Sequence, residues 1–128
     1  MKKSVIAKIG VKNEELFIDR TLSVLNQFCE KIIIVDDGST DKTEDICRSY
    51  DSVEWYKNIE HDWRVRCDGH QHQIGIEAIK PHNPDYVLSL DADEIPFRNM
   101  PEFIDGLDDS INLWKVPFVQ LWKDEFHH

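Results

Sequence analysis

The chain has 128 residues, 41% of them hydrophobic, which suits one globular domain with a single core and is short for a two-lobed enzyme. Its charge is acidic, 25 Asp and Glu against 15 Lys and Arg, which excludes the basic footprint of a nucleic-acid binder but not a phosphate held by backbone amides or a divalent cation. Cys29, Cys47 and Cys67 are widely spaced with no C-x-x-C pair, which argues against a disulfide framework or zinc ribbon and for a reduced, cytoplasmic setting.

Met1-Lys2-Lys3 is basic, but the apolar run Val5 to Ile9 is too short for a signal segment and is interrupted by Lys8. No stretch reaches the roughly 18 to 20 apolar residues of a membrane span. The run from Ser4 to Ile9 ends at Gly10 and predicts a buried strand. A helix is expected next, capped by Asn13 with Glu14 and Glu15 in its first turn, and with Phe17, Thr21, Val24, Leu25 and Phe28 as its buried stripe. Lys31 to Asp36 is a β-branched run of the kind that is buried on both faces of a parallel sheet. Asp37-Gly38-Ser39-Thr40-Asp41 is turn chemistry, and Asp41 with Glu44 predicts a capping box opening a second helix.

Val53 to Tyr56 predicts a third strand and Gly69 to Lys80 a third helix with Ile76 and Ile79 inward. Pro81 and Pro84 bracket a tight connection into Tyr86 to Leu90, a fourth strand ending at Asp91. A short helix is expected near Pro101. Asn112 to Lys123 alternates, with Trp114, Val116, Phe118 and Trp122 on one face, and Pro117 confines it to an edge or bulge. Strands alternating with helices imply an α/β fold, a mostly parallel sheet with helices on both faces, and residues 1–128 form a single domain.

Two acidic clusters carry the chemistry. Asp36-Asp37 closes the second strand and Asp91-Ala92-Asp93-Glu94 the fourth, and the carboxyl ends of strands form the ligand crevice of open α/β sheets. Adjacent carboxylates repel by on the order of 1 kcal/mol in water and several-fold more in a shielded cleft. A hard divalent cation, Mg²⁺ or Mn²⁺, offsets that cost, and it commonly shares its octahedron between one or two carboxylates and substrate phosphates.

Asn13-Glu14-Glu15, Val35-Asp36-Asp37-Gly38-Ser39-Thr40-Asp41 and Leu90-Asp91-Ala92-Asp93-Glu94 together resemble the signature blocks of family-2 glycosyltransferases, in that family's order, over roughly residues 4 to 97. The resemblance implies a three-layer α/β/α, Rossmann-like GT-A sheet and a transfer, usually inverting, from a nucleoside-diphosphate sugar with Mn²⁺ or Mg²⁺. It implies that Gly10 and Val11 lie against the nucleoside and that Asp37, with Asp36, accepts hydrogen bonds from base or ribose. Asp91 would approach the ribose or the metal, and Asp93 would bind the metal bridging the phosphates. Uridine is the family's habit, and the acceptor, whether glycan, lipid or protein, is not specified by these residues. Gly10-Val11-Lys12 stands where the family has a Pro-containing turn, and His72-Gln73 where it often has Arg-Asn.

Asp124 and Glu125 are the only carboxylate pair near the end and the candidates for the base that activates the acceptor. His70-x-His72 would point two imidazoles apart on a helix, which argues against a metal pair. The Trp114, Phe118 and Trp122 stripe reads as core, or as an exposed patch that drives homo-oligomerisation. Other classes fit less well. Receiver domains place their acidic pair after the first strand, a dehalogenase-like phosphatase leaves the Asp36 block unexplained, and a sugar nucleotidyltransferase wants a Gly-rich, Arg-containing loop. The alternative from another class is a non-catalytic half-domain that binds a nucleotide or a partner.

Overall fold

The computed structural model describes residues 3–58, 68–97, 99–110 and 119–120. Within them β1 (Val5–Val11), β2 (Lys31–Asp36), β3 (Val53–Lys57) and β4 (Tyr86–Asp91) form one parallel sheet in the order β3-β2-β1-β4. Helices α1 (Ile18–Leu25), α2 (Thr43–Arg48) and α3 (Asp68–Ile79) connect them, and α4 (Met100–Asp105) follows β4. Short strands β5 (Glu94–Ile95) and β6 (Val119–Gln120) pair antiparallel beside this sheet.

The β-branched runs form the centre of the sheet because both of their faces are covered. Val5, Ala7, Ile9 and Val11 of β1, with Ile32 and Ile34 of β2, pack against Leu22 of α1, Cys47 of α2 and Ile104 of α4. Ile6, Ile33 and Val35 meet Ile79 of α3 on the other face. Ile6, Ile9, Ile32, Ile33 and Ile34 are fully buried, and at roughly 1.5–3 kcal/mol per buried side chain these two strands dominate the hydrophobic stabilisation.

From β1 the sheet grows through β2 to β3 in one direction, with α1 and α2 on one face. The chain then crosses on the opposite face through α3 and lays β4 on the far side of β1, as right-handed connections require. This reversal makes a topological switch point between β1 and β4, the place where open α/β sheets bind ligands. The result is the three-layer, GT-A-like α/β architecture. No helix among the described residues is long and apolar enough to cross a membrane.

Two local expectations need correction. Asn13 does not cap α1. It takes a left-handed conformation at φ 54, and a turn over Glu14 to Phe17 intervenes before the helix starts at Ile18. The buried stripe is therefore Ile18, Thr21, Leu22 and Leu25, with Phe17, Val24 and Phe28 half-buried, because the helix begins in a different frame of the same apolar pattern. In α3, Ile79 is buried as expected, whereas Ile76 is half-buried and Gly75 takes the inward position.

Candidate functional site

The sheet register brings the two acidic blocks to either side of β1. Gly10 stands opposite Asp91 of β4, and Val11 opposite Asp36 of β2. Asp36 ends β2 and Asp37 opens the bend that follows, and their carboxylates take different partners. Asp36 is 4% exposed, and its carboxylate turns back to accept the Ser39 N–H at 3.0 and 3.2 Å. That turn passes through Gly38 at φ +106, a conformation that side chains rarely adopt.

Asp37 is partly exposed, and both of its carboxylate oxygens accept from amides. Asn58 Nδ2 donates to Oδ1 at 2.9 Å, and Gln71 Nε2 donates to Oδ2 at 2.5 Å. Asn58 is buried, and its backbone N–H is tied to the Asp36 carbonyl at 2.8 Å. Its Oδ1 is buried and has no hydrogen-bond partner among the described residues. Such an orphan costs about 1–3 kcal/mol, and the carboxylate enforces it, since Asp37 only accepts and so demands the amide nitrogen. The Gln71 amide lies over Gly10 so closely that a Cβ there would overlap it. Val11 turns its side chain into the core, and its carbonyl accepts the Asp37 N–H at 3.0 Å, so only its backbone borders the site.

The loops after β1 and β2 are clasped together. Asn13 Oδ1 accepts the Thr40 N–H at 2.7 Å, the Asn13 N–H donates to Ser39 Oγ at 2.9 Å, and the Glu14 N–H donates to Thr43 Oγ1 at 2.9 Å. Asp41 Oδ1 accepts from both the N–H and the hydroxyl of Thr43. The expected capping box is completed differently: Glu15 takes the Lys42 N–H at 3.0 Å, while Glu44 pairs with Arg48 at 2.8 Å. Asn13, Glu15 and Asp41 thus hold the loops rather than face a ligand.

At the end of β4, Asp91 is exposed, Asp93 half-buried and Ala92 buried between them. Two bonds fix this turn. The Thr21 hydroxyl of α1 donates to the Ala92 carbonyl at 2.7 Å, and Glu94 Oε1 accepts the Asp91 N–H at 2.7 Å. Thr21 read as one more core position of an amphipathic helix, and only its hydroxyl distinguished it. Glu14 stands close by: burial, then the charges of Asp93, Asp91 and Asp41, raise its carboxyl above the ordinary range. Among the described residues no three His, Cys, Asp or Glu side chains are grouped to hold a metal by themselves.

Gln71 and Asp91 line an open cavity of ≈ 500 Å³ with Gly69 and His72. Beneath it Lys8 of β1 is buried; burial lowers its pKa, and Asp91 acts against that shift. His70 is half-buried and His72 exposed on α3. Asp124, Glu125, Trp114, Phe118 and Trp122 lie outside the described residues.

The fold agrees with what the chain is similar to. It is 30% identical over 108 residues to the lipopolysaccharide core biosynthesis glycosyltransferase LpsC of Rhizobium meliloti (strain 1021), a match that covers 81% of this chain and 38% of that protein. It resembles glucosyl-3-phosphoglycerate synthase from Mycobacterium tuberculosis, solved with Mn²⁺, uridine diphosphate and glucosyl-3-phosphoglycerate, at a TM-score of 0.59 and 19% identity over 82% of this chain and 39% of that one. The same synthase with Mg²⁺ and uridine diphosphate aligns at a TM-score of 0.58 and 20% identity, again over 82% and 39%. The chain therefore spans about two-fifths of the length of these relatives. Residues 7–109 match the family described as Glycosyl transferase family 2, and the chain belongs to that family.

Proposed function

We propose that the chain forms the nucleotide-sugar-binding part of a glycosyltransferase that uses a UDP-sugar and Mn²⁺ or Mg²⁺, by an inverting transfer to a glycan, lipid or protein acceptor. The observation that carries this reading is the register of Gly10 opposite Asp91 and Val11 opposite Asp36, which sets two acidic blocks on either side of one strand end. The named ligands of the structural neighbours, uridine diphosphate with Mn²⁺ or Mg²⁺, favour the same choice.

In this reading the Asp37 carboxylate accepts from the nucleoside, the backbone at Gly10 and Val11 borders it, and Asp36 acts through the turn it braces. Asp91 and Asp93 hold the metal. When bound, a divalent cation supplies Lewis acidity to the departing diphosphate. Thr21 and Glu94 position the two carboxylates by fixing the backbone between them. A carboxylate takes the proton of the acceptor hydroxyl as it attacks the anomeric carbon opposite the leaving group, and Asp124 and Glu125, another carboxylate of the fold or a residue of a second subunit are the candidates for it.

The test is a thermal-shift titration with uridine diphosphate, with and without Mn²⁺, because a ligand that binds only the folded state raises its melting point by mass action. The parent should show a Mn²⁺-dependent shift that Asp93→Asn and Asp93→Ala lose while their unliganded melting points stay near the parent's. Undiminished binding by both variants in Mn²⁺ would remove the metal assignment.

A further inference from the structure

We infer that Gln71 is a specificity-determining residue that, together with Asp37, selects a base presenting an N–H beside a C=O, the edge of uracil or guanine, over the reversed edge of cytosine or adenine. The inference rests on the nucleotide-binding reading of the site and names which side chain discriminates within it.

The Asp37 carboxylate has about four lone-pair positions. Asn58 and Gln71 take one each, at 2.9 and 2.5 Å, which leaves the partly exposed carboxylate able to accept from a ligand. Its orientation is fixed from behind, because Asn58 is buried and its own backbone is tied to Asp36. Gln71 stands in front, lining the open cavity with Asp91. Its amide is trapped between Gly10 and Asp37: the carboxylate admits only Nε2, and the remaining amide atoms rest on the bare Cα of Gly10. Nε2 carries two N–H groups, and Asp37 uses one.

A fixed acceptor beside a fixed donor is therefore offered at the end of β1. Uracil meets it with N3–H and an adjacent carbonyl, and guanine with N1–H and O6. Cytosine and adenine would set a ring nitrogen lone pair against the Asp37 carboxylate and an amino group against the Gln71 N–H. A site built to hydrogen-bond one pattern rejects the other because its own groups are left unpaired.

The experiment measures the affinity of the chain for UDP, GDP, CDP and ADP by calorimetry, with and without Mn²⁺, for the parent, Gln71→Ala and Gln71→Met. Methionine keeps an unbranched stem over Gly10 but removes the donor. The parent should prefer UDP or GDP to CDP and ADP, and the UDP and GDP arms decide which base the edge belongs to. Both variants should lose about three- to tenfold in affinity for the preferred diphosphate with little change for CDP, so the preference narrows by the same factor. A preference that neither substitution narrows, or a parent that binds CDP as tightly as UDP and GDP, overturns the inference. Binding of none of the four diphosphates would sink the nucleotide reading and this inference with it. Binding that keeps its Gln71-dependent preference without Mn²⁺ would sink only the metal assignment.

Discussion

The stem of Lys8 fills the space that a side chain at Gly75 would need: a Cβ built on Gly75 stands 2.5 Å from Lys8 Cδ. A strand residue and a helix residue have exchanged volume, and α3 rests on β1 through that exchange. Gly75→Ala should destabilise the fold by about 1–3 kcal/mol through overpacking, against the roughly 1 kcal/mol that alanine gains over glycine in a helix. Lys8→Val combined with Gly75→Ala should recover most of the loss. Urea unfolding of the two single variants and the double variant gives the coupling, and strictly additive changes would deny the contact.

The same lysine sets a pH dependence. Burial holds its pKa below the ordinary 10.5, with Asp91 opposing the shift. The unfolded chain then binds more protons than the folded one in the window beneath 10.5, so the penalty of the buried charge is full below the folded pKa and is relieved as pH rises. Lys8→Met keeps the stem and removes the charge. It should be as stable as the parent or more so at neutral pH, and its advantage should shrink as pH climbs toward 10.5. A pH-independent difference between the two stability curves would contradict this.

Asn13 combines a left-handed backbone, φ 54, with a side chain that accepts the Thr40 N–H at 2.7 Å. Asn13→Gly relieves the backbone but loses the bond, while Asn13→Ala loses both. Alanine should therefore cost about 1–2 kcal/mol more than glycine, as measured by thermal unfolding. Equal losses would mean that the hydrogen bond alone matters there.

Asp37 and Asp93 sit at the ends of different strands and should fail differently. Asp37→Asn should weaken uridine and UDP together, by about tenfold or more for a charge-assisted hydrogen bond. Asp93→Asn should weaken UDP far more than uridine, because only UDP carries the diphosphate. Parallel losses for both ligands in both variants would show that the clusters share one role.

The order of strands and helices, the burial of β1 and β2, and the placing of Asp36-Asp37 and Asp91-x-Asp93 at strand ends were legible in the chain, because each depends on apolar periodicity and turn residues within a short window. So was the family, from three short blocks in order. The tertiary structure alone decided that Asp36 braces a turn while Asp37 faces outward, that Asn13 clasps Thr40 instead of capping α1, and that Thr21 holds the Ala92 carbonyl across 71 residues. It also set Gln71 between Gly10 and Asp37. These contacts join segments that meet only after the chain reverses direction around β1, and a hydrogen bond between such segments leaves no local period in the sequence that encodes it.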